Sequence, residues 1–213
     1  MKSKKDVKEI IKILKETYPE AECSLDFSNP FQIAVAVLLS AQCTDARVNI
    51  VTKELFKVAP TAEEMNKLTV KEIEKYIASC GLYKTKAKNI KGLAEMVMNT
   101  YNGEIPDTME ELVKLPGIGR KSANVVMLEA FHNPQGVAID THAKRICNRI
   151  GISKEESPEK IEQDLLKKID KDEYFDANHL CVWHGRYTCK ARKPECERCT
   201  ITKYCNYFKI KNK

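Results

Sequence analysis

The chain has 213 residues, enough to bury the core of one domain or of two compact ones, and its composition is that of an ordinary globular protein. Its longest uninterrupted apolar run, Ile33 to Leu39, is seven residues, far short of a membrane span, and the charged stretch from Met1 to Lys8 has no apolar signal core behind it. Membrane and secretory classes are therefore set aside, and a soluble intracellular protein is expected. The net charge of +6 is concentrated at one end: His184 to Lys213 holds nine Lys and Arg against Glu195 and Glu197, a balance of +7, so the first 183 residues sum to −1. A polyanionic partner would explain such a tail, and so would plain solvated surface.

Nearly every segment reads as helix. Val7, Ile10, Ile11 and Leu14 mark an amphipathic first helix, and Pro30 opens a segment, Phe31 to Leu39, that is apolar on all sides and so is expected to be central. Further helices are predicted over 45–58, 70–79, 85–100, 108–114, 120–131, 141–150, 158–169 and 174–186. Thr61 with Glu64, Thr69 with Glu72, Thr108 with Glu111 and Ser153 with Glu156 are spaced as capping boxes, and Gly81 and Gly151 stand where a glycine would end a helix. No run alternates as a strand. The clearest seam is Asn133-Pro134-Gln135-Gly136, which leads through Val137 to Ile139 into Asp140. A cleft there would carry Lys121 on one wall and Asp140 on the other.

The stretch Leu115-Pro116-Gly117-Ile118-Gly119-Arg120-Lys121 joins a glycine hairpin to a helix, a helix-hairpin-helix. Gly117 and Gly119 permit a sharp turn and a close approach of another molecule, expected to be a phosphate held at the next helix's N-terminus. Ala123, Val126, Met127 and Ala130 fall on one face of that helix, giving Lys121 a fixed base. A lysine in a first helical turn is ordinarily a solvated charge. To act as a nucleophile it must be neutral, against a reference pKa near 10.4. The helix dipole disfavours the ammonium by only about 0.3 to 1 kcal/mol, so Arg120 and desolvation would have to supply the remainder. Asp140 has a plain reading as a helix N-cap, and the same N–H donors would keep it ionised beside a sugar. His142 reads as structural or phosphate-contacting.

Five of the nine cysteines, Cys23, Cys43, Cys80, Cys147 and Cys181, are scattered, as suits free thiols in a reducing compartment. Cys189, Cys196, Cys199 and Cys205 form C-x6-C-x2-C-x5-C within 17 residues, which signals a metal centre. The spacing leaves zinc and a cubane iron–sulfur cluster both open. Lys190, Arg192 and Lys193 lie between the first two of these cysteines, so a metal would pin a basic, phosphate-binding loop.

Taken together, Leu38-Leu39-Ser40-Ala41-Gln42, Gly81-Leu82-Tyr83, the hairpin from Leu115 to Asn124, Asp140-Thr141-His142, His184-Gly185-Arg186-Tyr187-Thr188-Cys189 and the four-cysteine pattern resemble the endonuclease III family of DNA glycosylases. The resemblance implies an all-α fold of two helical domains: a six-helix barrel with the helix-hairpin-helix over 22–133, and a discontinuous domain of 1–21 with 134–213 carrying a 4Fe-4S cluster on Cys189, Cys196, Cys199 and Cys205. It implies a bifunctional glycosylase and abasic-site lyase acting on oxidised pyrimidines in duplex DNA. Lys121 would attack C1′ with Asp140 assisting, and Gln42 and Leu82 would fill the gap left by an extruded nucleotide. Gly117, Gly119, Arg120, His142, Lys190, Arg192 and Lys193 would hold the DNA backbone. Cys43 departs from the small residue expected there. Lys121 speaks against a monofunctional mismatch glycosylase, and Lys121 with Asp140 speaks against a non-catalytic DNA-binding module. Small size and the lack of an evident apolar patch predict a monomer.

Overall fold

The computed structural model describes residues 1–211; the last two residues of the basic tail lie outside the described residues. Twelve α-helices are described: α1 Lys4–Thr17, α2 Pro30–Ser40, α3 Asp45–Val58, α4 Ala62–Lys67, α5 Val70–Ile77, α6 Tyr83–Thr100, α7 Met109–Leu112, α8 Arg120–Phe131, α9 Thr141–Ile150, α10 Pro158–Leu166, α11 Tyr174–Tyr187 and α12 Asn206–Lys211. Three short 3-10 turns accompany them, and there is no strand among the described residues, so the fold is all-α. No described helix is long and apolar enough to cross a membrane.

The chain sorts into two compact units, Cys23–Gln135 and Met1–Glu22 together with the chain from Gly136 onward. In the first, α2 is the axis. Asn29 caps it by accepting the Gln32 N–H at 2.9 Å, Pro30 presets its first turn, and Phe31 to Leu39 are all buried. Such a helix is stable only when other helices cover every side. α8 and α3 pack directly on it, while α6 lies against α4 and α5. Ile33, Leu39, Leu55, Met65, Ile73, Ile77, Ile90, Leu93, Leu112 and Met127 close the core.

In the second unit the stripe Val7, Ile10, Ile11 and Leu14 of α1 joins Ala143, Ile146, Cys147 and Ile150 of α9, Ile161 and Leu165 of α10, and Ala177, Leu180 and Cys181 of α11. α1 begins with a complete capping box between Ser3 and Asp6, absent from the sequence reading. The two ends of the chain meet at Gly151, the C-cap of α9: the Lys2 N–H donates to the Gly151 carbonyl at 2.9 Å, and Lys2 Nζ donates to Asn206 Oδ1 at 2.9 Å.

Several local expectations need correction. Gly81 does not end a helix; α5 stops at Ile77, and the left-handed residue is Leu82. Ser153 is not an N-cap but is buried, its hydroxyl donating to Asp164 Oδ2 at 2.7 Å, and α10 starts after Ser157. Thr108 caps α7, but the Glu111 carboxylate accepts from Tyr101 and Lys114 instead of closing a box, and α7 is a single turn. Thr61 bonds the Glu64 side chain and does not accept from the α4 backbone. α10 ends at Leu166, short of Ile169.

Gly151 has φ +95°, and a Cβ there would overlap the Asn206 amide. Gly151→Ala is expected to lower stability by about 1–3 kcal/mol, read as a drop in thermal midpoint.

Candidate functional site

The hairpin is built as a reverse turn between α7 and α8. The Ile118 N–H donates to the Leu115 carbonyl at 3.0 Å, with Leu115 and Ile118 anchored in the core. Gly117 has φ +80°, and a Cβ there would stand 2.7 Å from Leu38 Cδ1, so both backbone angle and space demand glycine. Gly119 differs from expectation: its φ of −94° and ψ of 177° are open to any residue, and a Cβ would meet nothing within 4 Å. The space beside Gly119 is therefore open. As N-cap, Gly119 offers no side-chain acceptor to the first N–H groups of α8, which lack intrahelical partners. Lys121 follows in that first turn with an exposed side chain, while Ala123, Val126 and Met127 behind it are fully buried.

Gln42 and Leu82 lie in the same unit and share an uncommon backbone state. Gln42 has φ +54° and Leu82 φ +58°, both left-handed without being glycine. Both are exposed, Leu82 at 61% despite being a leucine. Their turns touch: a Cβ on Gly81 would stand 3.3 Å from the Gln42 carbonyl oxygen. An apolar and an amide side chain are thus held out together by strained backbone, a state that survives only when the surroundings impose it.

Asp140 is in the other unit. It is the N-cap of α9, with Oδ1 accepting the Ala143 N–H at 2.7 Å, and it is half-buried. His142 is in the first turn of the same helix, its Nδ1 accepting from Arg145 Nη2 at 3.2 Å and its Cβ lying where Gly185 lets α11 approach.

The four thiols are partly buried in the same unit. Burial first, and then the neighbouring thiols, push the Cys199 and Cys205 thiols up. The four donors are all sulfur, a set that fits a multi-iron cluster taking one thiolate on each iron.

Two residues support this loop: Arg149, which the sequence reading missed, and His184, which it quoted only as part of the resemblance. Arg149 of α9 donates to Cys189 Sγ at 3.4 Å, to the Lys190 carbonyl at 2.8 Å and to the Ala191 carbonyl at 2.9 Å, and stacks over the Tyr207 ring. His184 is 2% exposed, with Nδ1 3.0 Å from the Tyr18 hydroxyl and Nε2 3.8 Å from Cys199 Sγ. Burial, and then Arg145, lower its pKa to about 4, so the ring is neutral at neutral pH and can donate one N–H toward the sulfur. Arg149 sits in the last turn of α9 and carries no motif of its own, so its role had no sequence signal. In the loop itself Lys190 is ion-paired with Glu195, whereas Arg192 and Lys193 are exposed and Lys193 has φ +52°.

This combination of an all-α core, an open glycine hairpin and a four-thiol loop defines a class, and the comparisons agree. Residues 35–171 match the family described as HhH-GPD superfamily base excision DNA repair protein, and residues 189–205 match the iron–sulfur binding domain of endonuclease III. The chain belongs to the endonuclease III family. It is 46% identical to the endonuclease III of Synechocystis sp., over 96% of this chain and 94% of that one, and 43% identical to that of Escherichia coli K12, over 93% and 94%. A solved trapped endonuclease III–DNA covalent intermediate superposes with a TM-score of 0.94 at 41% identity, covering 100% of both chains. A thermostable thymine-DNA glycosylase, at 24% identity and a TM-score of 0.86, shares the fold. The cofactor is a 4Fe-4S cluster.

Elemental analysis of the purified protein is expected to find iron and sulfide in equal amounts and little zinc. Cys199→Ser should lower the iron content, and Arg149→Ala should hasten loss of the visible absorbance in denaturant, because it frees a thiol and two carbonyls at once.

Proposed function

We propose that the chain is a bifunctional DNA glycosylase and abasic-site lyase of base excision repair, removing oxidised pyrimidines from duplex DNA and cutting the strand 3′ to the abasic site. The observation that supports it best is Lys121, an exposed amine in the first turn of α8 directly after the open hairpin, in a chain of this family. In this reading the neutral Lys121 amine attacks C1′. Its lone pair forms the N–C1′ bond as the glycosidic bond breaks toward the base, which leaves with a proton, and the amine sheds one. Opening of the sugar ring gives a Schiff base that acidifies the C2′ proton. Loss of that proton expels the 3′ phosphate by β-elimination, and water then releases Lys121. Asp140 is assigned the assisting carboxylate; its N-cap bond engages Oδ1 and keeps the group oriented.

Base extrusion costs a few kcal/mol, and Gln42 with Leu82 would offset it by occupying the vacated stack. Gly117, Gly119 and Arg120 would hold a phosphate at the α8 N-terminus, and His142, Lys190, Arg192 and Lys193 would hold others without reading sequence. Of these Lys190 is partly neutralised by Glu195, so Arg192 and Lys193 are expected to contribute more. Cys189, Cys196, Cys199 and Cys205 would carry the cluster, which when bound supplies positive charge and ties the loop shut. Residues 22–133 are assigned as the barrel domain and 1–21 with 134–213 as the cluster domain. The working form is read as an intracellular monomer associated with the nucleoid through DNA.

Borohydride reduction in the presence of a duplex bearing one abasic site should trap a covalent adduct that disappears in Lys121→Ala. Absence of an adduct with protein that still binds the duplex would leave a monofunctional glycosylase or a binding module. Asp140→Asn is expected to fold and bind but to lose about 10²–10⁴-fold in turnover, measured on thymine-glycol duplex.

A further inference from the structure

The two turns that present Gln42 and Leu82 are joined by one buried cation. Lys86, in the first turns of α6, is 4% exposed. Its Nζ donates to the Leu39 carbonyl at 2.9 Å and to the Ala41 carbonyl at 2.6 Å. Its backbone N–H donates to the Leu82 carbonyl at 3.0 Å. Among the described residues no carboxylate pairs with it.

An unpaired buried ammonium is costly, and lysine is rarely found so. Here the C-terminal end of α2 offsets that cost. The last carbonyls of a helix lack intrahelical donors and carry the negative end of the dipole, which favours a cation. Lys86 satisfies one such carbonyl, at Leu39, and a second just past the helix, at Ala41, one residue before the left-handed Gln42. Its amide makes the first i→i−4 bond of α6, to the left-handed N-cap Leu82, as any residue there would, so the lysine's backbone belongs to one turn and its ammonium reaches the other. A single residue therefore spans both strained turns.

We infer that Lys86 is the positioning residue of the wedge, its ammonium tying the turn of Gln42, through Leu39 and Ala41, to the first turn of α6 that Leu82 caps. The inference rests on the proposed wedging role of those two side chains. A wedge matters only where a base must leave a stack, so Lys86 acts on extrusion and not on the chemistry at Lys121.

The test is the ratio of two rates: cleavage of a duplex carrying one thymine glycol, and lyase cleavage of a single strand carrying one abasic site. Gln42→Ala and Leu82→Ala serve as references, and 2-aminopurine beside the lesion reports unstacking. Lys86→Met is expected to lower the duplex-to-single-strand ratio about tenfold or more and to weaken the 2-aminopurine response. A purely structural role would lower both rates together, with the thermal midpoint, and leave the ratio unchanged; that result overturns the inference. If the references lower the ratio and Lys86→Met does not, the wedge stands and Lys86 is excluded. If neither reference lowers it, the wedge reading falls and this inference with it. Should Lys86→Met fail to fold, Lys86→Gln, which keeps a donor and removes the charge, is read by the same ratio.

Discussion

The packing of α8 against the fully buried α2 is the constraint on which the candidate chemistry depends. α2 has no polar face, so it must be enclosed, and α8 encloses it with Ala123, Val126 and Met127. Those contacts leave α8 no freedom to roll about its axis. The side chain of Lys121, on the opposite side, inherits that rigidity, as does the hairpin, whose Leu115 and Ile118 are set in the same core. A close-packed interior transmits position without needing any bond to the lysine itself.

Backbone strain in the same unit is placed with equal economy. Gln42 and Leu82 occupy the left-handed region, at a cost of order 1–3 kcal/mol each, and they stand side by side on the surface. Packing elsewhere in the unit sustains that cost: Ile33, Leu39, Ile90 and Leu93 are fully buried. The same logic explains why Gly81 is glycine although its angles do not require it, since the Gln42 carbonyl passes close by.

The other unit is held from both ends of the chain. α1 covers α11 with its apolar stripe, while Lys2 and Asn206 meet over Gly151 at the end of α9. The thiol loop is fastened to this frame by Arg149 from α9 and faced by His184 from α11. The arginine places a hydrogen-bond donor toward sulfur and the neutral imidazole can place another, contacts that would tune a bound cluster.

Much of this was legible in the sequence because it is local. The ranges 45–58, 120–131 and 141–150 coincide with α3, α8 and α9, since hydrophobic period and capping residues act within a turn or two. The all-round apolar α2 and the thiol spacing were equally plain. What failed was local chemistry overridden by tertiary partners: Ser153 turned to Asp164, Glu111 turned to Tyr101 and Lys114, and Gly81 proved to be a close approach and not a helix stop. What stayed hidden was every residue whose meaning lies in a distant partner. Lys86 reads as one more lysine in a basic helix until the carbonyls at Leu39 and Ala41 surround it, and Arg149 as a helix-end cation until the loop at 189–191 closes on it. Periodicity and spacing are properties of the chain alone, so the sequence determined the helices, the hairpin and the clustering of four cysteines near one end. Burial and long-range hydrogen bonds exist only after folding, so the tertiary structure alone decided which residues hold them in place.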